Sequence, residues 1–365
     1  MNNLDETILD SIDTENDGYS HNMEESLCCN CEVNVRDKTE NKDSILCADC
    51  RENFIRLHIP VWVIVFSVLV FAIFAGSIVH LPKTLESYKI YLEGNRQMQA
   101  KEYLFSYDSY SSLLNEYGDS IPIIINAADA AMHAQLFEDA AIILDTYLVG
   151  KSLDDEEYEH ATEISDALER YYHSMDALTL ILENAGLDGQ STNTAPPLEQ
   201  IKELLSDEMN DKTIIYHYMG IFASTLEESL EYLRLAAEED ERYTYPLAIY
   251  GNVLRQAQRF DEARTIYQTA VEQNACDTSA ITGLGILELL VGDKKQGLSM
   301  IQRAYEINPY DLYAPEAVII ALCENGLRDD ALAIMEKKKS ESYSFDPELE
   351  SYLDGEIDLR QFYIY

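Results

Sequence analysis

A recurrence of 34 residues runs through residues 87–345 and limits the fold sharply. Blocks 87–120, 121–154, 210–243, 244–277, 278–311 and 312–345 fall into one register. Their eighth residues are Gly94, Ala128, His217, Gly251, Gly285 and Ile319, and their twentieth are Ser106, Ala140, Ser229, Ala263, Gly297 and Ala331. Most of these are small. Two helices of a hairpin can cross closely only where no bulky side chain holds them apart. The twenty-fourth residues (Tyr110, Leu144, Leu233, Tyr267, Ile301, Met335) and the twenty-seventh (Leu113, Tyr147, Ala236, Ala270, Ala304) are suited to filling the space between neighbouring hairpins. Lys338 breaks that pattern in the last block.

The clearest units are LAIYGNVLRQAQRFDEARTIYQTAVEQN (247–274) and ITGLGILELLVGDKKQGLSMIQRAYEINP (281–309), the second ending on a helix-stopping proline, Pro309. This register resembles the tetratricopeptide family, whose unit is a pair of antiparallel helices. The resemblance implies an all-α fold: a right-handed superhelix over residues 84–345, with 346–365 as a capping helix and tail begun by Asp346-Pro347 and stopped at Gly355. Residues 155–190 read as one more hairpin carrying an insertion, followed by a loop at 187–197. Each unit would bury its apolar face only against a neighbour.

In the family, the first helix of each hairpin lines a groove through its second, fifth, ninth and thirteenth residues. Carried over by position, the partner-binding residues are Tyr88, Tyr91, Asn95, Asp129, His133, Tyr218, Tyr245, Asn252, Gln256, Glu316 and Glu324. Tyr and Asn supply contact area or paired hydrogen bonds at small entropic cost. The resemblance thus implies a protein that binds a protein or peptide and is not an enzyme. One subtype takes chaperone tails through paired Lys and Asn, but the fifth positions here include Tyr91 and Ala248, which argues for a basic or polar peptide instead.

Five of seven cysteines lie within residues 28–50. Cys28-x-x-Cys31 and Cys47-x-x-Cys50 have the spacing of two knuckles that close on one tetrahedral metal, so residues 27–52 read as a zinc ribbon with a structural zinc ion. A redox CxxC pair or unbound thiols are the alternatives. Val33, Val35, Ile45 and Leu46 are candidate strand residues, Cys29 is left over, and Glu32 and Arg51 stand where such knuckles usually carry glycine. Residues 1–26 read as a disordered acidic tail. Within it Asp13-x-Glu15-x-Asp17-Gly18 with Glu24 follows the calcium-loop pattern weakly.

Ile59–Val79 carries no charge, and residues 59–81 are therefore expected to form one transmembrane helix. Flanking basic residues are balanced. A thiolate site persists best in a reducing compartment, which places the N-terminus in the cytoplasm and the repeats outside a cell membrane. The expected function is a membrane-anchored scaffold. Its alternatives are a transmembrane sensor coupling ribbon to repeats, or an accessory subunit of a membrane enzyme.

The net charge of −41 repels phosphate backbones and excludes nucleic acid as a partner class. No GxxxxGK[ST], GxSxG or HExxH occurs, and no two histidines stand four apart.

Overall fold

The computed structural model describes residues 26–39, 41–55, 59–186, 197–240, 242–311 and 313–364, without side chains at 77–82. Residues 1–25 of the expected acidic tail, with the calcium-like loop, and residues 187–196 of the expected loop lie outside these. The chain divides into two compact units, Met1–Pro82 and Lys83–Tyr365.

In the first unit, an isolated antiparallel bridge joins Leu27 to Val35. Helix α1 (Ala48–Ile55) starts at the second cysteine pair. The expected ribbon strands are absent among the described residues: Val33, Val35 and Ile45 are exposed, with nothing to pack against. Arg36 Nε donates to the Leu27 carbonyl (2.6 Å) and Arg51 pairs with Asp37 (2.7 Å), so polar contacts hold the loops.

Helix α2 runs from Val61 to Gln99. The expected span at 59–81 is not borne out. Among the described residues, no helix is long and apolar enough to cross a membrane. Beyond Pro82 the same helix carries Lys83, Glu86, Lys89, Glu93 and Arg96. The expectations that rested on the span fall with it: the cell-membrane location, the two-sided topology, the membrane as partner and the transmembrane sensor.

The second unit is all helical. After the end of α2 come α3 (Tyr103–Tyr117), α4 (Ile121–His133), α5 (Phe137–Ile143, continued by a π-turn at Leu144–Leu148), α6 (Asp155–Asn184) and α7 (Leu198–Glu203). Then follow α8 (Lys212–Phe222), α9 (Leu226–Glu239), α10 (Tyr245–Gln256), α11 (Phe260–Gln273), α12 (Thr278–Val291), α13 (Lys294–Ile307), α14 (Ala314–Glu324) and α15 (Arg328–Ser340). Two short helices end the described chain: α16 (Glu348–Leu353) and α17 (Leu359–Ile364). Pairs α4/α5, α8/α9, α10/α11, α12/α13 and α14/α15 fall on the expected blocks; from α8 onward each hairpin packs on the next, while α6 stands between α4/α5 and α8.

The small eighth positions have the expected cause. A Cβ on Gly94 would stand 2.8 Å from the Tyr110 ring, and one on Gly285 would stand 2.5 Å from the Ile301 side chain. Ser106 Oγ donates to the Gly94 carbonyl (3.0 Å) and Ser229 Oγ to that of Gly220 (2.8 Å), which ties the crossings further. Lys338, the misfit of the last block, is buried after all. Its stem fills the gap between hairpins, while its ammonium reaches Glu341 (2.8 Å) and lies 4.6 Å from the centre of the Tyr310 ring. Burial pulls this ammonium's pKa down; the Glu341 bond and the tyrosines outweigh it and raise it.

The fifteenth residue of four blocks is left-handed: Lys101 (φ 57°), Gln135 (φ 61°), Gln258 (φ 58°) and Gly326 (φ 76°). Each stops its first helix with a paired turn, as where Lys101 N donates to Met98 O (3.1 Å) and Glu102 N to Gln97 O (2.8 Å). This is a C-terminal cap of the Schellman kind, with glycine used only once.

Residues 155–184 differ from expectation. They form one helix of 30 residues, not a hairpin. Asp154 and Glu157 make a capping box at its start, and no Gly or Pro interrupts it. The Ser174 hydroxyl bonds back to Arg170 O (2.8 Å), so the polar residues near the expected turn serve the helix. The stack is stitched across this insertion. Gln135 Nε2 donates to Thr244 Oγ1 (2.9 Å), Thr244 Oγ1 donates to Asp277 Oδ2 (2.5 Å), and Ala275 N donates to Lys101 O (2.9 Å).

Candidate functional site

The cysteine cluster is formed by two turns. Cys28, Cys31, Cys47 and Cys50 bring their Sγ atoms within 4.8 Å of one another, and all but Cys31 are buried. Cys31 and Cys47 Sγ stand 3.7 Å apart. Four sulfurs around zinc at about 2.3 Å span tetrahedron edges of about 3.8 Å, so the residues fit a metal of that size. Asn30 N and Nδ2 donate to Cys28 Sγ (3.5 Å) and Cys50 Sγ (3.4 Å), and Cys50 N donates to Cys47 Sγ (3.4 Å). Donors aimed at sulfur are what a thiolate set requires. Burial opposes ionisation of the Cys28 thiol, but backbone bonding from Cys31, Cys47 and Asn30 outweighs it and brings the pKa down to about 6. Cys29 is exposed and outside the set. Glu32, at the usual glycine position, has φ 56°.

The groove residues fall into three places. Tyr88 and Tyr91 line an apolar cavity of about 310 Å³ with Leu113, Tyr117 and Pro122. Asn95 is turned inward instead: its Oδ1 accepts from Tyr110 OH (2.6 Å). Asn252 makes the same bond with Tyr267 OH (2.6 Å), which repeats in register and ties the ninth residue to the twenty-fourth.

The second place is α4. Asp129 lies 3.6 Å from both His133 Nε2 and His160 Nε2, and His133 stacks on Tyr103 with centroids 4.5 Å apart. Burial lowers the pKa of His133. Tyr218 and Tyr245 flank His217, whose ring centroid is 5.6 Å from the first and 5.1 Å from the second.

The third place is a cavity of about 320 Å³ where α10, α12 and α14 face one another. Asn252, Gln256 and Glu316 come together there. Burial raises the carboxyl pKa of Glu316. Glu324 is not on this wall. It accepts from Tyr352 OH (2.7 Å) and pairs with Lys294 (2.5 Å), which fixes α16 to the stack.

The cavity is also lined by Arg255, Thr282 and Tyr363, which are not among the expected partner-binding residues. Arg255 is the twelfth residue of its block, yet its guanidinium lines the wall and only 6% of it is exposed. Thr282 is buried beside it, and Tyr363 enters from α17. The signal for α17 was present: Asp358-x-x-Gln361 is a capping box, and both reciprocal bonds form (2.8 and 2.9 Å).

No protein-family model matches the chain, and no curated protein matches it. Solved structures with similar helix stacks include a tetratricopeptide repeat protein from Parabacteroides merdae, at 13% identity and TM-score 0.36, covering 76% of this chain and 87% of that one. A MamA fragment from Desulfovibrio magneticus shows 17% identity and TM-score 0.33, covering 41% and 86%. YrrB, described as a tetratricopeptide protein with an unusual peptide-binding site, shows 19% identity and TM-score 0.28, covering 57% and 96%. With TM-scores this low, none carries an argument about the partners of this chain.

Proposed function

We propose that this chain is a non-catalytic interaction protein of the tetratricopeptide type, whose helix stack holds a polar segment of a partner protein. The carrying observation is the cavity between α10, α12 and α14, into which the hydrogen-bonding side chains of Asn252, Arg255, Gln256, Thr282 and Glu316 converge. The repeated register, the small crossing residues and the hairpin pairing support the family reading. Tyr88, Tyr91, Asp129, His133, Tyr218 and Tyr245 would extend the contact along the first helices. Asp129 would favour a basic residue in the first half of the groove, while Arg255 would favour an acceptor in the second. The four cysteines would hold a structural zinc ion, since four thiolates leave no open coordination position.

A photo-cross-linking residue at Gln256 tests the groove, with the exposed Asp261 of α11 as the control position. Discrete adducts with one or a few proteins are expected from Gln256 alone. Equal labelling from both positions, or none from Gln256, would remove the groove as the binding surface.

A further inference from the structure

The groove already has an occupant. Helix α17 docks on α10, with Phe362 and Tyr363 among the partly buried residues of the core cluster. Arg255 Nη1 donates to the Tyr363 carbonyl (3.0 Å), and the guanidinium lies 5.3 Å from the centre of the Tyr363 ring. Phe362 packs against Tyr352 with centroids 6.1 Å apart.

The occupant fits incompletely. Arg255 Nε, Thr282 Oγ1 and Tyr363 OH are all buried with no hydrogen-bond partner among the described residues, and all three residues line the same residual cavity. A buried guanidinium met by one carbonyl and the Asn252 amide oxygen (3.3 Å), and by no carboxylate among the described residues, is unusual in a chain with 67 acidic residues. Unsatisfied buried donors weaken a docked contact. A helix as short as α17 has little stability of its own and is held by its surroundings.

We infer that Leu359–Ile364 is a resident ligand of the groove, displaced by a partner segment with the same aromatic turn and an additional acceptor for Arg255. This deepens the proposed groove function and rests on it. The partner class is a short helical turn with two adjacent aromatic residues and a side-chain carboxylate or amide placed to reach Arg255 Nε and Thr282 Oγ1. The tether makes α17 a competitor at high effective concentration, so partner binding would be weak until α17 leaves.

The test uses the full chain with Phe362→Ala and Tyr363→Ala, and a labelled peptide of residues 356–365 (EIDLRQFYIY) as probe. The variant is expected to bind the peptide saturably and at least tenfold more tightly than the unmodified chain. A peptide with the same two alanines should not bind. Equal binding by the two proteins, including no binding by either, overturns the inference. Should the variant fail to fold, hydrogen exchange on the unmodified chain decides. Amides of α17 exchanging well before those of α12 support a displaceable segment; equal protection overturns it. Adducts from Gln256 together with no peptide binding would leave the groove function standing and remove the resident ligand alone.

Discussion

At Lys101 the backbone is left-handed, a conformation that costs an L-residue roughly 1–2 kcal/mol. The residue is exposed, so Lys101→Gly should raise stability by about 0.5–1 kcal/mol after the added unfolded-state entropy of glycine is subtracted. A urea midpoint that falls would mean the Lys101 side chain supports the turn. Nothing in residues such as Lys101, Gln135 or Gln258 signals this geometry in the sequence; only Gly326 does. The reverse holds at the crossings. Gly251 was legible as a packing glycine because the Tyr267 ring lies against its Cα. Gly251→Ala should cost about 1–3 kcal/mol by overpacking, read from the same denaturation curve.

His217 takes an eighth position, where other blocks are mostly small, and burial brings its pKa from 6.5 down to about 4. The unfolded imidazole therefore takes up its proton first. The stability tied to the neutral ring is complete above about pH 6.5 and is lost as the pH falls toward 4, a change of about 3 kcal/mol. His217→Ala should flatten the dependence of the melting midpoint on pH across that window, whatever its offset. A variant whose pH dependence matches the unmodified chain would show that another group governs it.

At the scale of elements, the cysteine loops have almost no apolar core besides the thiols and Leu46. The metal would supply most of the folding free energy of that segment. Chelation should therefore unfold residues 26–52 while the repeats keep their melting behaviour, and Cys28→Ser should release bound zinc where Cys29→Ser does not. Zinc content and far-UV signal read the two effects separately. Here spacing alone picked out the four cysteines that cluster, because two CxxC turns bring sulfurs together whatever lies between them. That the expected ribbon strands would not form was not legible, since isolated valines say nothing of a partner strand. Helix α6 shows the same limit. Two hairpin-like segments read as a turn at their junction, but with no Gly or Pro there a continuous helix keeps every backbone bond.

At the scale of the repeat unit, a stack of hairpins behaves as a chain of nearest-neighbour interfaces, and an insertion ordinarily weakens cooperation across it. The long α6 interrupts the register between α5 and α8, and the sequence showed that break. It gave no sign of the bonds that bridge it, because Gln135, Thr244 and Asp277 are far apart in the chain. Thr244 is buried and both accepts from Gln135 and donates to Asp277. Burial raises the carboxyl pKa of Asp277, so loss of its hydroxyl partner leaves a costly group. Thr244→Val keeps the shape and removes both bonds. Its expected cost is about 2–4 kcal/mol, and the loss should be shared unequally. Amides in α3–α5 should exchange earlier than those in α12 and α13, where the unmodified chain should protect both groups alike. Uniform loss of protection would instead mean that the hairpins cooperate through their packed faces, with the loop bonds adding stability and no coupling.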